Sequence, residues 1–189
     1  MKLYKIFILI FLFFFNTTSY AIEIKSLVKV NNNSITNIDL LKEIKFFETI
    51  NNKKINPQDK RALLERLIDE KIKYLETKKL KININKNELK NRVQLSLDKY
   101  EENIKNSKDI YDYIHDKLEI SMKWNNLITS FYARKLEINT NEINEIIKSN
   151  KFSKIKKENL FKLEKQKKIN ILSKTHFNLV KKKYYIKYN

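Results

Sequence analysis

Residues 56–79 read Asn56-Pro57-Gln58-Asp59-Lys60-Arg61-Ala62-Leu63-Leu64-Glu65-Arg66-Leu67-Ile68-Asp69-Glu70-Lys71-Ile72-Lys73-Tyr74-Leu75-Glu76-Thr77-Lys78-Lys79, and this stretch decides the fold class. Asn56 is a helix N-cap, Pro57 takes the first helical position where its missing N–H costs nothing, and Asp59 complements the positive end of the helix. Leu64, Leu67, Ile68, Ile72 and Leu75 then recur at spacings of three and four. One apolar stripe runs along a helix of six turns and must be buried against other elements.

Working outward from that helix, the preceding segment opens with an alternating, branched-residue run at 22–30. Asn31-Asn32-Asn33 can take the positive φ that Gly would otherwise supply, and Ser34-Ile35 continues extended, which predicts a short β-hairpin. Thr36 stands three residues before Asp39, a capping-box start for a helix with Leu40, Leu41, Ile44, Phe47 and Ile50 as its apolar face. After the central helix, an extended link at 80–84 leads to Asn85, with Glu88 three positions on and a stripe of Leu89, Val93, Leu97, Tyr100 and Ile104. Ile110, Ile114, Leu118 and Met122 follow, then Leu127, Phe131 and Leu136, as one long helix or two in line. Asn139 and Glu142 start a shorter helix, residues 148–157 form a Lys-rich polar linker, and a last helix spans about 158–182. The chain closes on Tyr184-Tyr185-Ile186-Lys187-Tyr188, which is strand-like and able to pair with the hairpin. The expected fold is mainly α, a helical core with a small sheet joining the two chain ends.

With 189 residues, the chain has length for one domain or two small ones. It contains no Gly, no Cys and one Pro, so Gly-rich phosphate loops, G-x-S-x-G nucleophile elbows, disulfides and thiolate metal sites are excluded. The formal charge of +18 rests almost wholly on lysine: Arg61, Arg66, Arg92 and Arg134 are the only arginines among 40 basic residues. Arg is the usual reader of bases and phosphates, whereas Lys is the ordinary solvated surface charge. With Asn and Ile also abundant, the lysine excess reads as compositional drift, and a nucleic-acid binder is a minor reading.

Residues 1–21 read as a secretory signal peptide. Lys2 and Lys5 precede an uninterrupted apolar run at 6–15, and Ser19 and Ala21 form an A-x-A-like cleavage site. The run falls short of the about 20 apolar residues of a membrane span, although Tyr20, Ile22 and Ile24 extend its apolar character and leave an uncleaved anchor as the alternative. Removal of the leader lowers the charge to +16, since Lys2 and Lys5 leave with it. The expected location is the periplasm. The expected division is a leader at 1–21, a helical domain at 22–147, the linker at 148–157, and a terminal helix and strand at 158–189 that pack back on the core.

Four segments carry a resemblance. They are Val28-Lys29-Val30-Asn31-Asn32-Asn33-Ser34-Ile35 with Asp39; Leu64-Glu65-Arg66-Leu67-Ile68-Asp69-Glu70-Lys71-Ile72; the link from Lys81-Ile82 to Leu89; and Arg134-Lys135-Leu136 with Ile138, Glu142 and Ile143. Together with Tyr185-Ile186-Lys187 after an amphipathic helix, they resemble the SurA family of periplasmic chaperones, its N-terminal domain joined to its C-terminal segment. Asn33 stands where that family usually has Gly. Typical members carry parvulin-type prolyl isomerase domains between these halves, and only the stretch at 148–157 occupies that place. The resemblance therefore implies the chaperone core without the isomerase: no enzyme, no catalytic residues, no metal and no cofactor.

On this reading the chain is an ATP-independent holdase that binds unfolded outer-membrane proteins through an apolar groove. Outer-membrane assembly machinery is a further partner; nucleic acids and small-molecule substrates are not. The alternative is a non-catalytic adaptor that docks one specific envelope partner or the membrane surface. Trp124, Phe131, Tyr132, Phe161 and Phe177 sit on long amphipathic helices, as core residues or as groove lining. Trp124 lies off the Ile114, Leu118 and Met122 row and is the first candidate for an exposed contact. Trp124, Phe131, Tyr132 and Phe177 are the candidate client-binding residues. His115 and His176 read as ordinary boundary histidines without a ligand pattern, Glu65, Asp69 and Glu70 as solvated partners of Arg61 and Arg66, and Lys181-Lys182-Lys183 as a solvated helix end.

Overall fold

Thr36 begins the helical part of the molecule with a complete capping box: its side chain accepts from the Asp39 backbone N–H, and Asp39 accepts from the Thr36 N–H in return. The computed structural model describes residues 23–148 and 157–189, so the expected leader and all but the two ends of the Lys-rich linker lie outside the described residues. Strands β1 (Ser26–Val30) and β2 (Asn33–Thr36) are followed by helices α1 (Asn37–Asn51), α2 (Pro57–Lys79), α3 (Lys86–Leu97), α4 (Glu102–Lys105) and α5 (Lys108–Phe131). A 3₁₀ turn (Ala133–Leu136), α6 (Thr140–Lys148), α7 (Lys157–Lys181) and β3 (Ile186–Tyr188) complete the order. The fold is mainly helical with one small antiparallel sheet, as the periodicity predicts.

The sheet has the order β2-β1-β3, with β1 pairing antiparallel to both neighbours. Val28 lies opposite Ile35 and Tyr188, and Val30 opposite Asn33 and Ile186. The two chain ends are further stitched by Asn31 N–H donating to the Tyr185 carbonyl at 2.8 Å and by Asn189 N–H donating to the Leu27 carbonyl at 2.9 Å. Of the three consecutive asparagines, Asn31 alone takes positive φ (51°), because the pairing of Val30 with Asn33 leaves a two-residue turn. Lacking glycine, the chain also uses Lys81 (φ 52°) in the left-handed position that closes α2, where Lys81 N–H reaches the Lys78 carbonyl and Ile82 N–H the Thr77 carbonyl.

Two buried clusters share α5. As far as Met122 it sends Ile110, Ile114 and Met122 against Leu89, Val93 and Leu97 of α3. Its second half sends Trp124, Leu127 and Ile128 against Ile68 and Ile72 of α2, Val28, Val30 and Ile35 of the sheet, and Val180 of α7. The helix therefore hands over from one apolar face to another. That handover corrects the expectation of an exposed Trp124: it is 3% exposed, and it opens a stripe of its own with Leu127, Ile128 and Phe131 at i, i+3, i+4 and i+7.

Three further expectations are revised. The long helix stops at Phe131 instead of running through Leu136, which lies in the 3₁₀ turn. The helix at Asn85 ends at Leu97, and Tyr100 and Ile104 reach the same cluster from the turn and from α4. On α1 none of Leu40, Leu41, Ile44, Phe47 and Ile50 is fully buried, Leu41 is 48% exposed, and Glu43 is the one buried residue of the helix. The cause is tertiary: α1 packs on α2 and β2 and meets α5 through Glu43 and Phe46, and the residues it turns to the adjoining groove are Asp39, Lys42, Glu43, Lys45, Phe46 and Thr49 rather than that apolar stripe.

Candidate functional site

The groove lies between α1, α2 and α5, opens to solvent and has a volume of about 800 Å³. Its apolar surface comes from Phe46 on α1, Leu67 and Tyr74 on α2, Ile104 on α4, and Ile110, Tyr113 and Ile120 on α5. Phe46 and Tyr113 stack with ring centroids 3.9 Å apart and planes 23° apart, and form an aromatic plate that joins α1 to α5.

Beside this plate, Glu43 is 2% exposed and draws in three helices. Its Oε2 accepts from Arg66 of α2 at 2.9 Å and from the Tyr113 hydroxyl of α5 at 2.7 Å, while Lys117 of α5 bridges Glu43 and Glu70. Lys117 also lies over the Tyr113 ring, 5.0 Å from its centroid. Burial first, and donation to Glu43 second, push the Tyr113 hydroxyl far above the ordinary phenol range, so it remains a donor. Burial opposes the Arg66 charge, but the hydrogen bond and charge of Glu43 outweigh it and raise Arg66 further. A buried carboxylate with this many partners is a clamp that sets the spacing of α1, α2 and α5.

The same contacts revise the reading of the α2 charges as solvated partners of Arg61 and Arg66. Arg66 pairs with Glu43 across to α1, Asp69 accepts from Lys181 of α7 at 2.7 Å, Glu65 accepts from the Tyr188 hydroxyl at 2.8 Å, and Glu70 pairs with Lys117. Helix spacing shows that such residues share a face, but their partners come from elements more than 20 positions away. Glu43, Tyr113 and Lys117 went unnoticed in the sequence for that reason. A Glu inside an apolar helix face is the one signal that pointed to the clamp.

The four residues chosen from the sequence gather in a second place, around His176 of α7. Trp124 meets Phe177 edge-on at 5.9 Å and His176 at 5.5 Å, Tyr132 and Phe131 each lie 5.6 Å from His176, and the Tyr132 hydroxyl is 3.0 Å from His176 Nδ1. Trp124 donates its indole N–H to Ser173 Oγ at 2.8 Å, and Lys73 lies over Phe177. Tyr132 and Phe177 are half-buried, and only Phe131, at 59% exposure, opens to solvent. Phe161 is half-buried on α7.

His176 is not the plain boundary histidine of the sequence reading, because its Nε2 is buried without a hydrogen-bond partner. Burial holds its pKa below the usual value; Glu76 pulls it up and Lys183 pushes it down. Since the unfolded chain then takes up a proton that the folded chain refuses, stability falls as pH drops below the unfolded value of about 6.5 toward the folded one. We expect the melting temperature to fall between pH 7.5 and pH 5.5, and His176→Phe to flatten that slope in a thermal melt followed by circular dichroism. An unchanged slope removes His176 as the cause.

Among the described residues, His115, Asp116 and Glu119 bring potential metal-ligand atoms within 4.8 Å of one another, a neighbourhood the sequence reading did not credit to His115. His115 Nδ1 lies 3.3 Å from Asp116, and Glu119 accepts from Lys123 at 2.6 Å, so neighbouring side chains already engage these groups. No helix among the described residues is long and apolar enough to cross a membrane. A scan against protein-family models found none that matches the chain, and a search of curated proteins found no match.

Proposed function

We propose that the chain is an ATP-independent holdase of the periplasm that keeps unfolded outer-membrane proteins from aggregating by holding short apolar segments in the α1–α2–α5 groove. The observation that carries this reading is the solvent-open groove of about 800 Å³, in which the Phe46–Tyr113 plate lies beside Leu67, Ile110 and Ile120. An apolar surface that the protein does not cover itself is what an unfolded client needs, because such a client offers apolar side chains without fixed geometry. The sequence resemblance to the SurA chaperone core and the signal-like residues 1–21 add support. Burial at about 25 cal/mol per Å² drives association, and the ordering cost of a flexible client keeps it weak enough for release. Phe131 offers a second, smaller contact outside the groove.

The test is light scattering of a denatured outer-membrane β-barrel protein diluted into buffer with and without the purified chain. Suppression at equimolar to several-fold excess is expected. Tyr74→Ala, at the exposed edge of the groove, is expected to weaken it at least about threefold, a loss typical of truncating one contact residue. Prolyl isomerisation of a test peptide should remain at its uncatalysed rate. Unchanged aggregation at several-fold excess defeats the proposal and favours an adaptor that docks one folded partner.

A further inference from the structure

The groove inverts the charge balance of the chain that forms it. Seven carboxylates and five lysines line it, a net charge of −2, whereas the whole chain has 40 basic and 22 acidic residues. The carboxylates are concentrated on α5, where Asp109, Asp112, Asp116 and Glu119 follow at i, i+3, i+7 and i+10, so one helix face presents them as a rim. Asp109 is matched by Lys45 at 3.0 Å and Glu119 by Lys123 at 2.6 Å. Asp112 and Asp116 are exposed and, among the described residues, have no lysine or arginine partner; Asp116 touches only His115. Next to this rim lies the apolar floor of Phe46, Leu67 and Tyr113.

We propose that the groove receives an extended peptide segment in which aromatic or branched side chains alternate with lysine or arginine. This inference rests on the holdase reading and names the class of client. Successive side chains of an extended segment point to opposite sides, so one set enters the apolar floor while the other meets the acidic rim. The groove itself, apolar and open, makes the surface a docking site; the charge inversion selects the occupant. Acidic segments are drawn to the lysine-rich exterior but meet like charge at the groove. Clients of the same composition as this chain, in which 36 of 189 residues are lysine, carry the required side chains at high frequency. Attraction of acidic chains by lysine therefore belongs to the outer surface and not to the groove.

The experiment measures fluorescence anisotropy of two labelled peptides of equal length and identical apolar residues, one alternating with Lys and the other with Glu. Each is titrated with the purified protein at 50 mM and 300 mM salt. At low salt the Lys peptide is expected to bind about tenfold more tightly, a preference that shrinks at high salt. The Asp112→Lys/Asp116→Lys variant, altered only at exposed positions, is expected to lose the preference while its circular dichroism spectrum stays that of the parent. Equal binding of the two peptides, tighter binding of the Glu peptide, or a preference that survives the double substitution overturns the inference. If the protein suppresses aggregation of the denatured barrel without any charge preference, the holdase reading stands and this inference falls. If neither peptide binds and aggregation is unchanged, both fall. If neither peptide binds and the chain sediments as a dimer that the double substitution splits, the groove belongs to a second copy and the inference is overturned.

Discussion

Replacement of Trp124 by alanine lowers the free energy of unfolding by about 4 kcal/mol, as expected for emptying a core aromatic site. The indole is 3% exposed, packs between α2, α5 and α7, and also donates to Ser173, so the substitution opens a cavity and leaves a half-buried hydroxyl short of a partner. For a chain of this length the loss corresponds to a fall in melting temperature of about 10 °C or more. Urea unfolding followed by far-UV circular dichroism checks it. A loss under about 1 kcal/mol would place Trp124 outside the core. Trp124→Ala is thus a poor probe of client binding, since weaker holdase activity would report weaker folding. Tyr74→Ala and the Asp112→Lys/Asp116→Lys pair probe the groove from exposed positions instead.

The second large effect belongs to Glu43. Glu43→Ala leaves Arg66 and Lys117 without their shared carboxylate and the Tyr113 hydroxyl without its acceptor, and is expected to cost about 3 kcal/mol, the scale of breaking a buried ion pair by removing one partner. Part of the charge remains compensated, because Glu70 still holds Lys117 and half of Arg66 reaches water. Glu43→Gln is expected to cost less than Glu43→Ala, since the amide keeps one acceptor oxygen for Tyr113. The same denaturant titration reads both variants. Equal stability of the parent and Glu43→Ala would show that the clamp does not hold α1 in place. Because α1 has no other buried residue, Glu43→Ala is also expected to widen the groove, which faster amide hydrogen exchange along residues 37–51 would register.

How far the residues could be read in advance depends on how local their reasons are. The capping box at Thr36 and Asp39, the Asn56-Pro57 start of α2 and the Asn85 cap of α3 involve neighbours within three positions, and each stands where the pattern predicts. The pairing of β3 with β1 was also legible, because an alternating tail can complete a short hairpin. The faces of α1 and α5 were not. A stripe shows that a helix has an apolar side, but how closely neighbours cover that side depends on where they stop. On α5 the neighbour changes midway from α3 to α2 and α7, and the offset of Trp124 marks that change rather than an exposed residue.

Taken alone, the sequence determined the helical class, most helix starts, the three-stranded closure of the chain ends, and the exclusion of glycine- and cysteine-dependent chemistry, all consequences of residue type and short spacing. Tertiary structure decided that Trp124 is core, that Glu43 clamps three helices, and that an acidic rim borders an apolar groove in a strongly basic chain. Burial and electrostatics act through space. Residues 43, 66, 113 and 117 share one environment only because three helices pack side by side, and no spacing along the chain encodes that meeting.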